Sequence, residues 1–318
     1  MGRAVVFGLG VALAAAVTGA AQAESLKVVI PQKGLWDVSM VDFGVKEGIF
    51  KAEGLDIEQI YSEGGANNEQ AVISGSADMA IGTGTLGIIS AYVKGAPIRI
   101  ISAEWTGVPD LFWYAKADSG MKSLKDAAGK SVAFSAPGSS SNLVLLSLLK
   151  YNGVTTAKPT PTGGIPGTLT QVMSGQIDVG WAAPPIPLDQ VKAGKLVILA
   201  HGSDVPALRN QTVRVNVVRL ALLQQHRDVV ERFARAYQKS IDWAYANPKA
   251  TDYYADGLHV SHELAVEARK FYPKSSLQPY EIKGLDQTLR DAYEFKRIPQ
   301  PMKPDQIAGL ITIIKPGK

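Results

Sequence analysis

The residues 137–141, Pro-Gly-Ser-Ser-Ser, stand between a short apolar run (residues 131–135) and an apolar stretch of helical spacing (residues 142–151). Gly138 allows a ligand to approach the backbone closely. Ser139, Ser140 and Ser141 sit where a helix begins. Free N–H groups, three hydroxyls and the positive end of a helix dipole therefore gather at one spot, a combination that suits the oxygens of an anion. An ordinary serine cap would use the same residues. The run Gly82-Thr83-Gly84-Thr85 follows the apolar residues 79–81 in the same way and makes a weaker version of the offer through Thr83 and Thr85. Of five tryptophans, Trp36 and Trp181 fall in loops after apolar runs, and Trp105 and Trp113 flank a segment near residue 107. An indole face adds apolar area at little entropic cost, which suits the organic part of a ligand. Trp243 lies in an amphipathic helical pattern and reads as packing. Arg214 is the charged candidate, because a guanidinium pairs bidentately with sulfonate, carboxylate or phosphate. Asp37 and Glu104 are carboxylates placed to meet a ligand cation instead. The expected ligand-binding set is Trp36, Thr83, Thr85, Trp105, Gly138, Ser139, Ser140, Ser141, Trp181 and Arg214, with no catalytic residue and no metal ligand among them.

The elements that would position these residues occur twice. Ser74-Gly75-Ser76-Ala77-Asp78-Met79-Ala80-Ile81-Gly82 returns one hundred residues later as Ser174-Gly175-Gln176-Ile177-Asp178-Val179-Gly180-Trp181-Ala182. Each copy follows a helical run and leads through small residues into a second helical run and a late strand, at residues 94–101 and 195–200. Upstream, residues 26–32 resemble residues 131–137. Short apolar strands alternating with helical patterns from residue 26 to 200 predict parallel α/β sheets. Two copies of one β-α-β-α-β unit predict two lobes with a cleft between them. Ligands of open parallel sheets sit at the carboxyl ends of the strands, so the loops at residues 32–37, 82–85, 136–142 and 181–185 are expected to face that cleft.

The chain of 318 residues is long enough for two domains. Residues 1–23 read as a signal peptide, with Arg3, an apolar stretch at 5–17 and a small-residue cleavage site ending at Ala23. That stretch is shorter than a membrane span needs, and no arginine pair precedes it, which favours the general secretory route. Residues 24–106 and 214–318 are expected to form lobe 1, and 107–213 lobe 2, with the chain crossing a two-strand hinge near Trp105 and again near Arg214. From residue 228 an apolar stripe predicts a long helix that Asn247-Pro248 stops, and further helices with proline breaks follow. There is no cysteine, which excludes disulfides, thiolate metal sites and a lipid-anchored N-terminus. The net charge of +4 is spread evenly, without the basic stripe that nucleic acid would require. His259 and His262 read as a surface pair lacking a third metal ligand. No nucleophile elbow, phosphate-binding loop or metalloprotease helix is present.

Residues 44–58, Gly-Val-Lys-Glu-Gly-Ile-Phe-Lys-Ala-Glu-Gly-Leu-Asp-Ile-Glu, resemble a segment of the periplasmic solute-binding proteins that serve the nitrate/sulfonate/taurine class of ABC importers. That group includes binders of thiamine's pyrimidine precursor. Residues 74–82, 94–101 and 122–141 are similar to later blocks of the family in the same order, and the resemblance runs to about residue 247. It implies a two-lobed periplasmic-binding-protein fold of type II, with two parallel-core sheets. It further implies capture of a solute by lobe closure and delivery to a membrane permease with its ATPase. The family's pyrimidine-forming enzymes carry a cysteine-rich motif that this chain lacks. The expectation is thus a periplasmic, monomeric, non-enzymatic receptor for a small organic anion, a sulfonate or carboxylate with an apolar or aromatic part, needing no cofactor. The alternatives are a secreted enzyme on the same scaffold, engaged in pyrimidine-precursor chemistry, and a periplasmic ligand sensor.

Overall fold

The computed structural model describes residues 23–315; the expected signal peptide, all but its last residue, lies outside them. Ten strands form two five-stranded sheets. The first contains β1 (Glu24–Pro31), β2 (Leu55–Ser62), β3 (Met79–Gly84), β4 (Ile98–Thr106) and β10 (Thr212–Arg219). The second contains β5 (Phe112–Lys116), β6 (Ser131–Phe134), β7 (Lys158–Pro161), β8 (Val179–Ala182) and β9 (Leu196–His201).

The order is β2-β1-β3-β10-β4 in one sheet and β7-β6-β8-β5-β9 in the other. The two are the same arrangement, and it matches the sequence repeat strand for strand. Where the sequence predicts parallel sheets, each sheet also carries one antiparallel member. β10 runs against β3 and β4, and β5 runs against β8 and β9. In both sheets the antiparallel strand is the one that follows a crossing between the lobes. The crossings lie side by side, since Gly107 N–H donates to Gln211 C=O at 3.0 Å and the Thr106 and Thr212 hydroxyls share a 2.8 Å hydrogen bond.

The repeated Ser-Gly-x-x-Asp has a structural cause. Gly75 and Gly175 take left-handed backbone, φ 79° and 78°, just past the helices Gly65–Ile73 and Ile165–Met173, where only glycine is unstrained. The aspartate three residues on then ties its strand to the first strand of its own sheet. Asp78 accepts from Lys27 N–H at 2.9 Å. Asp178 accepts from Ser131 N–H at 2.8 Å and from its hydroxyl at 2.7 Å. These bonds hold the Asp178 carboxyl below the usual aspartate range, although partial burial, the largest single influence, works the other way.

The chain after β10 packs mainly on the first sheet. Its long helix Arg227–Ala246 ends at Asn247-Pro248 as its stripe predicts. The tail closes on the edge of that sheet, where Thr312 N–H donates to Ile100 C=O at 2.8 Å and Ile311 bridges Ile100 in parallel. Among the described residues no group of histidine and acidic side chains has the arrangement of a metal site. His262 contacts Asp252 at 3.0 Å on the surface.

Replacing Asp178 with Ala should remove a charge-assisted tie between β6 and β8 and lower stability by about 1–2 kcal/mol. Chemical denaturation checks this; an unchanged midpoint would show that the repeated aspartate has no structural part.

Candidate functional site

The four loops at the carboxyl ends of the strands do come together. A small cavity lies between the sheets, walled by Gln32 and Leu35 after β1, Gly82 and Gly84 at the end of β3, Ser135 and Ser139–Ser141 after β6, Trp181 on β8, and Arg214 on β10. Gln32 and Leu35 also border an outer cavity, whose other walls include Lys33, Tyr61, Glu63, Ile165, Pro166 and Ile186. The inner space is the smaller of the two, and both are lined mostly by apolar surface.

The helix Ser140–Tyr151 points its N-terminus at the inner cavity. Ser139 is its cap, accepting from Asn142 N–H at 3.1 Å. Ser141 accepts from Ser135 N–H at 2.9 Å and shares a 3.0 Å contact with Ser139. Those two hydroxyls are therefore committed within the protein. Ser140, half-buried, has no hydroxyl partner among the described residues. As the first helical residue, its N–H also lacks an intrahelical acceptor. Trp181 is 4% exposed and its indole N–H has no partner, although a buried donor normally finds one. The first amide of the helix and the Ser140 hydroxyl are thus unused donors beside one small space, and Trp181, whose buried N–H is also unused, lines that space.

Other predicted residues have different work. The Thr83 hydroxyl donates to Val215 C=O at 2.8 Å and that of Thr85 to Thr212 C=O at 3.0 Å. Both fasten β10 to its neighbours, and it is Gly82 and Gly84 beside them that reach the cavity. Trp36 is fully buried against Phe43 and Tyr254, with the Arg269 guanidinium 4.7 Å above its ring. The chain turns there, so Leu35 takes the wall position. The Trp105 N–H donates to Asp110 at 2.8 Å and its ring packs on Tyr272. Gly138 C=O accepts from Gly87 N–H across the cleft at 3.0 Å. That contact, like the bond from Ile165 N–H to the Gln32 side chain at 3.1 Å, was not legible from residue type.

Arg214 is neither free nor solvated. Its guanidinium lies 2.7 Å from Asp110, 3.3 Å from Glu104 and 3.2 Å from Asp37, all four side chains being buried. Three carboxyls around one cation cannot all ionise cheaply. Burial, reinforced by Asp37, pushes Glu104 well above the usual carboxylate range despite Arg214. Burial raises Asp37 as well, against the pull of Arg214, while a hydrogen bond from Glu104 lowers it. Asp37 Oδ1 and Oδ2 and Glu104 Oε1 have no hydrogen-bond partner among the described residues.

The family model described as NMT1/THI5 like matches residues 43–251, more than half of the chain. This chain belongs to the NMT1/THI5-like family. None of the curated proteins matches it. Among solved structures this NMT1/THI5-like chain is similar to the alkanesulfonate-binding protein SsuA of Xanthomonas axonopodis pv. citri bound to MOPS, with 16% identity over 91% of this chain and 98% of that one, TM-score 0.76. It is similar to the aliphatic sulphonate binding protein SsuA of Escherichia coli, with 18% identity over 93% of each chain, TM-score 0.72. It is also similar to the nitrate-binding protein NrtA of Synechocystis PCC 6803, with 13% identity over 91% and 86%, TM-score 0.72. The fold is that of the periplasmic binding proteins. An enzyme shares it too, the desulfurization enzyme DSZB, with 16% identity over 89% and 95%, TM-score 0.63.

Two expectations follow for this NMT1/THI5-like chain. Gly84 has an unstrained backbone, φ −63° and ψ 126°, yet a methyl group there would lie 2.8 Å from Ser139 Cα and against the Gly138 carbonyl in the other lobe. Gly84→Ala should therefore leave each lobe folded and wedge the two apart. Small-angle scattering would then give a larger radius of gyration than wild type under conditions that close the wild type; an identical value removes the contact's role. The second concerns pH. A carboxyl whose folded value is raised adds stability that is complete below the unfolded glutamate value, about 4.3, and is lost as pH rises toward the folded value. Melting temperature should fall as pH rises above about 4.3, because the Glu104 carboxyl is raised well above the usual range, and Glu104→Gln should flatten that fall. An unchanged slope would show that Glu104 ionises freely in the fold.

Proposed function

We propose that this protein is the extracytoplasmic solute-binding receptor of an ABC importer, and that the cavity between its lobes captures a small organic anion. The observation that carries the reading is the set of unused donors at that cavity: the start of the helix Ser140–Tyr151, the Ser140 hydroxyl and the Trp181 N–H. Neutral donors at the wall of a small space suit an oxyanion such as a sulfonate or carboxylate. The outer cavity, with Tyr61, Ile165, Pro166 and Ile186, offers room for an apolar or aromatic body. Family membership and the fold shared with sulfonate- and nitrate-binding proteins support the same class.

Capture works by a shift between open and closed lobes, because only the closed form surrounds the solute. Closure brings Gly87 to Gly138 and the Gln32 side chain to Ile165. It also joins the C-terminal region to the far lobe through Lys192–Glu267, Lys150–Glu294 and the Tyr272 hydroxyl on Pro184 C=O. The loaded form is then handed to a membrane permease with its ATPase, the protein acting as a monomer in the periplasm.

The enzyme alternative has a shared fold in its favour. It needs a base beside a hydroxyl, whereas the residues lining the inner cavity include neither histidine nor carboxylate. We therefore read the site as one for binding without turnover.

Ser140 and Trp181 provide the clean test. Replacing Ser139 or Ser141 would also strip a helix cap or a buried bond, at about 1 kcal/mol. Ser140→Ala and Trp181→Phe should each weaken binding of the best solute in a thermal-shift screen of small sulfonates, carboxylates and nitrate by about 5- to 10-fold, with little change in the melting temperature of the free protein. Calorimetry reads the affinity, and mass spectrometry of the recovered solute reads turnover. Unchanged affinity in both variants removes the site assignment, and a chemically altered solute removes the receptor reading.

A further inference from the structure

Arg214 is a charged member of the inner wall, and its charge is already spent. The carboxyls of Asp110, Glu104 and Asp37 lie within 2.7, 3.3 and 3.2 Å of it, and every one of these side chains is at most 4% exposed. With no proton on the three carboxyls the knot sums to −2, with one proton to −1, and with two to zero. None of these states presents a positive charge to the cavity. The other polar groups of the wall, Gln32, Ser135, Ser139, Ser140, Ser141 and Trp181, are neutral, and among the described residues that line the inner cavity Arg214 alone is ionic. The outer cavity repeats the balance with Lys33 against Glu63.

What remains to face an anion is the half charge at the start of the helix Ser140–Tyr151 together with oriented N–H and O–H dipoles. That is enough for one negative charge spread over several oxygens. A second charge would enter a buried site with no cation to meet it and three carboxyls behind the wall, and desolvation there is expensive. Resting on the anion-binding reading above, we infer that this cavity is a valence filter: it accepts anionic heads carrying one charge and rejects heads of the same shape carrying two. Asp37, Glu104 and Asp110 set that specificity without touching the solute, by cancelling the arginine that does line its chamber.

Alkyl sulfates and alkyl phosphates separate charge from shape, being matched in form. Near pH 8 a sulfate monoester carries one charge, while a phosphate monoester, with its second pKa near 6, carries two. Isothermal titration of methyl, butyl and phenyl sulfate against the corresponding phosphates should give tighter binding of the sulfate in each pair that binds, by roughly tenfold or more. Asp37→Asn and Asp110→Asn each remove one carboxylate while keeping an acceptor in place, and should narrow the ratio by about threefold or more; far-UV circular dichroism verifies that each variant is folded. Phosphates that bind as tightly as their sulfate partners overturn the filter and leave the anion receptor standing. A ratio unchanged in both folded variants overturns the part assigned to the carboxyls. If no member of either series binds, the filter is overturned, while the anion reading is judged by the screen of sulfonates, carboxylates and nitrate above.

Discussion

A five-stranded sheet with its fourth position vacant would leave two rows of buried N–H and C=O groups without partners, at a cost no small lobe can absorb. In this protein the second lobe fills that position from its own continuous stretch of chain, with β5, but the first lobe cannot. The first sheet waits for β10, which arrives only after the second lobe has been made, and β5 fills the second sheet directly after the chain has left the first. Backbone hydrogen bonding therefore requires the chain, once it has left the first sheet, to cross back to it. The paired crossings, the facing loops and the cavity between them all follow from that requirement.

The same strand explains the most costly feature of the interior. β10 is covered on both faces, so the side chains alternating with Val213, Val215 and Val217 have no route to water. Asn216 is satisfied by Gly82 N–H and the Ser102 hydroxyl. Arg214 needs stronger partners, and it finds them in Asp37 from the loop after β1, Glu104 from β4 and Asp110 from the first crossing. Asp110 is held in turn by the Trp105 N–H. The hinge region is thus bound to the floor of the cavity by one guanidinium. Removing a partner from such a knot costs more than the pair contributes, because a buried charge is left behind.

Much of the architecture was legible in the chain because it is written twice. The Ser-Gly-x-x-Asp turns, the strands around them and the helix ends at Gly75 and Gly175 fall where periodicity and left-handed glycine place them. The serine loop was legible for the same local reason: a cap and a helix start are encoded within a few residues. Division of labour inside that loop was not, since which hydroxyl is left unused depends on Ser135 and Asn142 reaching in from either side. Arg214 was singled out by type, but its partners are spread over more than a hundred residues and meet only when the crossing strand is inserted. The two threonines show the opposite failure. Their alternation with glycine drew notice, yet Thr83 at the end of β3 and Thr85 at the start of the following helix both give their hydroxyls to β10.

The outer rims of the two sheets are finished differently. Beside β4 the tail lays Ile311 against Ile100 and takes up its carbonyl, as Ile314 N–H does that of Ile101. At the far rim of the other sheet, β7 reads Lys-Pro-Thr-Pro, and its two prolines have no N–H to donate outward. Rims with free donors and acceptors recruit strands from neighbouring molecules. On the proposed receptor reading, a molecule that opens and recloses can flex about its middle while these borders stay sealed against self-association.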